Sequence, residues 1–176
     1  MMPRLLLIAL SAIAVTLASP QAQSPLTTTI VLVRHAEAIA NAGTDPGLSE
    51  AGLARARALS QALEHAEVNA VITTQYQRTA MTGEPLATAL KAPLIKVPVE
   101  GPVDGYVKQL VQQVLAKYAG GTVVIVGHSN TVPALVQGFS GVDVGAIAHD
   151  SYDRMFVVTT ASAGSGRVVR AHYGPK

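Results

Sequence analysis

Two short apolar runs each lead straight into a histidine, and this pair constrains the fold more than any other feature. Thr27 to Val33 is largely β-branched and apolar from Ile30 onward and ends at Arg34-His35; Thr122 to Val126 is apolar after its first residue and ends at Gly127-His128-Ser129-Asn130. A strand without polar alternation is buried on both faces, which is the mark of the central strands of a sheet covered by helices on either side.

The rest of the chain alternates in the same sense. Ser49 caps a helix that runs to about Ala66, and Ala70 to Thr73 reads as a second strand. A helix spans Arg78 to Leu90, where Pro85 is expected to distort or restart it. A short strand lies near Leu94 to Val97, and Tyr106 to Tyr118 places Val107, Leu110, Val111, Val114 and Leu115 on one helical face. A further helix follows His128, and Met155 to Thr160 with Arg167 to His172 make a final strand pair joined by a Gly-Ser turn. The expected fold is a three-layer α/β/α sandwich with a mostly parallel central sheet, formed by one domain over residues 23–176.

Residues 1–22 read as an export leader instead of structure. Arg4 supplies a positive start, and Leu5 to Leu17 is an apolar run too short for a bilayer span of roughly 20 residues. Cleavage is expected near 18–22, after Ala18 or Ala22, with an uncleaved anchor as the alternative. The mature protein then has no stable membrane insertion, and its expected location is periplasmic or secreted. The net charge is +2, which leaves no basic stripe for nucleic acid. Cysteine is absent, which excludes disulfides, thiolate catalysis and a lipoprotein anchor. With no tryptophan, five tyrosines and two phenylalanines, there is little to build a sugar-stacking platform. The sequence carries no signal for an oligomeric state.

Ligands of open α/β sheets bind beyond the carboxyl ends of the strands, so His35 and His128 are expected to face one pocket. Arg78, just past another strand, reaches the same rim. Two guanidinium groups and two imidazoles there suit a phosphate dianion, which arginine binds bidentately. A neutral imidazole can serve as nucleophile through a covalent intermediate, while Arg34, Arg78 and His128 stabilise the equatorial oxygens. Backbone N–H groups around Ser129 to Thr131, at a helix start, can assist. A proton donor for the leaving oxygen is expected on the loop after the third strand, where Glu100 is preferred to Asp104.

Val33-Arg34-His35-Ala36-Glu37 resembles the RHG/RHA motif of the histidine phosphatase superfamily, in its phosphoglycerate mutase-like branch. Leu48-Ser49-Glu50-Ala51-Gly52 is similar to that family's L-[ST]-x-x-G helix start, Thr73 to Ala80 to its S-x-x-x-R-[AT]-x-x-T segment, and Val126-Gly127-His128-Ser129 to its GH motif. The resemblance implies that His35 becomes a phosphohistidine, that Arg34, Arg78 and His128 bind the phosphoryl group, and that no metal or organic cofactor takes part. The long insertions of the mutases are missing, which points to a phosphatase, closest to the small exported ones, acting on a phosphorylated envelope component or a scavenged small molecule. Two other readings stand beside it: a phosphohistidine-protein phosphatase, and a non-catalytic domain that binds a phosphorylated ligand.

Several residues carry two readings. Asn41 and Thr44 either touch substrate or simply form the loop after His35. Arg55 and Arg57 are expected on a solvated helix face. Arg78 alone could pair with Glu84, and His128 alone could cap a helix. Glu37 either orients a pocket arginine or points away. His65, His149 and His172 belong to no partner pattern.

Overall fold

The first apolar run becomes β1, Thr28–Arg34, and lies inside the sheet because its side chains are buried on both faces. The computed structural model describes residues 26–175, so the expected leader and its cleavage point lie outside the described residues. After β1 come α1 (Glu50–Ala62), β2 (Val68–Thr73), α2 (Gln77–Leu90), β3 (Leu94–Lys96), α3 (Val103–Lys117), β4 (Thr122–Gly127), α4 (Thr131–Ser140), β5 (Arg154–Thr160) and β6 (Arg167–His172). The strands form one sheet in the order β3-β2-β4-β1-β5-β6. The four strands from β3 to β1 are parallel, and β5 and β6 are antiparallel additions.

Alternate residues of each central strand feed opposite cores, as the pleat requires. Ile30 and Leu32 of β1 with Val123 and Ile125 of β4 meet Leu110 and Val114 of α3 and Leu135 and Phe139 of α4. Val31, Val33, Val124 and Val126 point the other way, toward Leu59 of α1 and Leu86 of α2. Each such side chain contributes roughly 1.5–3 kcal/mol when fully buried. The result is the three-layer arrangement with a mostly parallel sheet. Among the described residues no helix is long and apolar enough to cross a membrane.

Ser49 is the N-cap of α1, its hydroxyl accepting from the Gly52 N–H at 3.2 Å. Gly52 also explains why this helix start needs glycine: a Cβ there would lie 2.1 Å from the Glu37 carbonyl oxygen. The first turn of α1 therefore presses directly on the backbone that follows His35.

Two local expectations are corrected. The helix expected to reach Ala66 stops at Ala62 with Leu63 as its C-cap. Pro85 neither ends nor restarts α2, which runs unbroken from Gln77 to Leu90; buried Thr82, Gly83, Leu86 and Ala87 pack that helix down, and this burial outweighs the one backbone bond the proline removes.

Candidate functional site

The parallel strands β2, β4 and β1 end side by side, with Thr73 opposite Val126 and Arg34 opposite Gly127. The His35 N–H donates to the Gly127 carbonyl at 2.9 Å, which carries the ladder one residue further and sets His35 beside His128. Their ring centroids are 5.4 Å apart at 63°. Gly127 is needed at this corner, since a Cβ would lie 2.7 Å from Thr131 Oγ1. Around the two rings is an open cavity of about 410 Å³, whose wall includes Arg34, Arg78, Ser129 and the start of α4.

His35 is 8% exposed. Its Nδ1 lies 2.7 Å from the Ala36 carbonyl; a carbonyl can only accept, so Nδ1 carries the hydrogen and Nε2 keeps the free lone pair. Burial, with Arg34 and Arg78 adding to it against the Ala36 hydrogen bond, pushes its pKa down to about 4. At neutral pH the ring is an uncharged base.

His128 is fixed by a hydroxyl relay. The Thr79 hydroxyl donates to the Tyr76 carbonyl at 2.8 Å, so the Thr74 hydroxyl, 3.0 Å from it, donates to Thr79. The Thr74 oxygen is then left to accept from His128 Nε2 at 3.0 Å, which places the hydrogen of the neutral ring on Nε2. Burial first, then His35, Arg78 and Arg34, push the His128 pKa down to about 3. Both threonines are fully buried. Replacing Thr74 by valine is expected to release this ring and lower kcat/KM for a phosphomonoester about 10-fold, the usual scale of a lost orienting hydrogen bond. Thr74→Ser should restore it, and steady-state kinetics on the three proteins checks both.

Arg34 and Arg78 are held in different ways. Arg34 is 5% exposed, and its Nη1 donates to the carbonyls of Ala148, His149 and Ser151 at 3.0, 2.8 and 3.1 Å. Its guanidinium lies 4.1 Å from the centre of the Tyr152 ring, and its Nε is buried without a partner among the described residues. Burial lowers its pKa, yet an arginine stays charged. Arg78, in the first turn of α2, stacks 4.3 Å from the Tyr76 ring and pairs with Asp45 at 3.7 Å, not with Glu84. Asp45 Oδ1 also accepts from the Gln77 N–H at 2.9 Å, tying the loop after His35 to the start of α2.

The sequence-based site residues are distributed unevenly. His35, His128, Arg34, Arg78 and Ser129 line the one cavity. Glu100 is exposed and outside that wall, because Gln75 grips the N–H and carbonyl of Val99 and it is Val99 that reaches the cavity. Asp104 lines a separate groove of about 490 Å³ between α3 and α4. Asn41 is exposed, outside the wall, and adopts the left-handed conformation of a turn (φ 56°). Glu37 binds Arg55, which is buried instead of solvated and is no pocket arginine. Among the described residues no group of three or more His, Asp or Glu is placed to hold a metal.

Tyr76 and His149 also line the cavity without having been expected there, and so do Asn130 and Thr131, expected only through the backbone N–H groups of Ser129 to Thr131. Tyr76, Asn130 and Thr131 lie within three residues of Arg78 or His128 in the chain, so proximity to a strand end is a usable signal. His149 had none, since only the Arg34 side chain brings its segment to the site.

The two histidines behave differently in folded and unfolded chains, which makes stability depend on pH. Both pKa values fall on folding, so above about pH 6.5 the rings are neutral in either state, and as pH drops toward 4 and 3 the unfolded chain alone takes up protons. Stability is therefore expected to decline from pH 7.5 to pH 5 by on the order of 1–2 kcal/mol per histidine. Urea unfolding at the two pH values measures this, and the slope should flatten in a His35→Asn, His128→Asn protein.

Comparison with known proteins agrees with this architecture. Residues 30–99 match the family model of the histidine phosphatase superfamily (branch 1). No curated protein matches the chain. Among solved structures, one described as a phosphohistidine phosphatase, SixA, from Nakamurella multipartitia is 26% identical, with a TM-score of 0.65 over 85% of this chain and 99% of that one. A mycobacterial glucosyl-3-phosphoglycerate phosphatase is 14% identical, with a TM-score of 0.66 over 85% and 100%. The protein histidine phosphatase SixA complexed with tungstate is 19% identical, with a TM-score of 0.62 over 82% and 96%. The last two likenesses are likenesses of fold.

Proposed function

Taking the chain as a branch 1 member of the histidine phosphatase superfamily, the family matched over residues 30–99, we propose that it is a metal-independent phosphatase that passes the phosphoryl group through His35 and acts on a small phosphorylated substrate. The observation that carries this reading is the state of His35: Nδ1–H is spent on the Ala36 carbonyl, the ring is neutral, and Nε2 is free to attack. Charge on the transferring group is met by the guanidinium groups of Arg78 and Arg34 and by His128, all on the cavity wall. A dianion in the cavity favours the protonated form of His128, whose second hydrogen then sits on Nδ1. Ser129 and the Thr131 N–H at the start of α4 complete the anion site, since the Asn130 side chain makes no capping bond there, the Val132 N–H is spent on the His128 carbonyl at 3.0 Å and Pro133 has no N–H.

Two finer readings extend it. Residues 1–22 alone support action in the periplasm or outside the cell, on an envelope phosphate or a scavenged ester. A phosphohistidine-protein phosphatase is the second reading, favoured by the likeness to the Nakamurella structure described as such. The test is phosphate release from a panel of phosphomonoesters and phosphohistidine peptides with chelator present, together with acid quenching against base quenching of the labelled protein. Turnover with an acid-labile, base-stable phosphoprotein supports the reading. Oxyanion binding without turnover on any substrate replaces it with a non-catalytic phosphate-binding domain.

A further inference from the structure

The cavity wall that holds His35 contains no carboxylate, yet an alcohol leaving from a phosphate ester needs a proton. We propose that His149, on the segment between α4 and β5, donates the proton to the leaving oxygen; the inference rests on the phosphatase reading above. His149 lines the same cavity as His35 and His128. Its backbone is fixed there, because Arg34 Nη1 holds the carbonyls of Ala148, His149 and Ser151 together while the same guanidinium stacks on Tyr152. Tyr152 in turn lies 6.1 Å, centroid to centroid, from the His35 ring. One arginine beside the nucleophile thus carries the segment that bears the third imidazole.

The other groups on the wall are committed elsewhere. His35 is the attacking base, and His128, with Nε2 tied to Thr74, gives its Nδ1–H to the oxygens of the transferring phosphoryl group in the reading above. Arginines do not release protons at neutral pH, and the Tyr76 ring is taken up in stacking against Arg78 and edge-on against His128. The exposed His149 side chain makes no hydrogen bond or ion pair with another described residue, so it can exchange its proton with water.

The steps balance without a further reactant. His35 Nε2 attacks phosphorus, the P–O ester bond breaks, and the leaving oxygen takes both the electron pair and the His149 proton, departing as an alcohol. Water then attacks the phosphohistidine and gives a proton to His149, while the P–N bond breaks and its pair returns to Nε2. Orthophosphate leaves and the His149 imidazolium is restored.

The experiment compares wild type, His149→Gln and Glu100→Gln on an alkyl phosphate and on a dinitrophenyl phosphate, whose phenolate leaves without protonation. His149→Gln is expected to lose about 100-fold in kcat on the alkyl ester, with KM little changed, and less than about 3-fold on the activated ester. Equal losses on both esters, or none on either, overturn the assignment. A loss confined to the alkyl ester in Glu100→Gln instead gives the role to the loop after β3 and also overturns it. If wild type releases phosphate from neither ester nor from a phosphohistidine peptide, the phosphatase reading falls and this assignment falls with it. Wild-type turnover with an unselective His149 variant overturns the assignment alone.

Discussion

His35→Ala is expected to abolish phosphate release, by at least about 10⁴-fold in kcat, because the proposed route through His35 then loses its attacking atom. The variant should remain folded. His35 sits past the end of β1, and its neutral ring gives the fold a liability toward acid, not a strong bond. Oxyanion binding should survive within about 10-fold, since Arg34, Arg78, His128 and the start of α4 still surround the cavity. Kinetics on a phosphomonoester, with tungstate affinity measured by calorimetry, reads both quantities. Retention of more than about one part in a hundred of the wild-type kcat would place the nucleophile elsewhere, and a simultaneous loss of tungstate binding would make His35 a structural residue of the pocket.

The placement of the two histidines was legible because it hangs on local patterns. A strand buried on both faces must be central, a central parallel strand must deliver its last residues to the carboxyl edge, and β1 and β4 each deliver a histidine there. Arg78 follows from β2 by the same logic. The cap at Ser49 and the glycine at Gly52 were likewise visible as the start of α1. What stayed hidden lies in side chains that bridge distant parts of the chain. Arg34 reaches carbonyls 114 to 117 residues away, and nothing near His149 or Tyr152 signals that they are the recipients. Glu100 was chosen for being a carboxylate on the right loop, but the side chain that decides which residue of that loop faces the cavity is Gln75, which holds Val99. Arg55 misled for a related reason. Among the charged and small residues of α1 it reads as surface, and it is covered only where Glu37 and the C-terminal segment meet over it.

Arg55→Ala is the substitution expected to cost the most stability. Arg55 is 7% exposed. Its Nε lies 3.0 Å from both Glu37 carboxylate oxygens and its Nη2 2.8 Å from Oε1, while Nη1 and Nη2 also donate to the carbonyls of Tyr173 and Pro175 at 3.1 and 3.0 Å. Burial alone would raise the Glu37 carboxyl, yet the Arg55 hydrogen bonds outweigh it and hold its pKa below the ordinary range. That contribution is present at neutral pH and is lost as pH falls through the lowered value. Truncating Arg55 leaves a half-buried carboxylate and two carbonyls without donors, a loss of about 3–4 kcal/mol. For a chain of this size the melting temperature should fall by about 10 °C, measured by calorimetry at neutral pH. Arg55→Lys should recover little, because an ammonium cannot span the carboxylate and both carbonyls at once. Removing both charges in Glu37→Leu, Arg55→Met should cost less than Arg55→Ala, since no unpaired charge remains. If Arg55→Ala lowers stability by under about 1 kcal/mol, the pair behaves as a surface ion pair. The C-terminal segment must then be held by the Tyr173 ring packed in the α1/α2 core, not by the guanidinium that links it to the carboxylate of Glu37, two residues beyond His35.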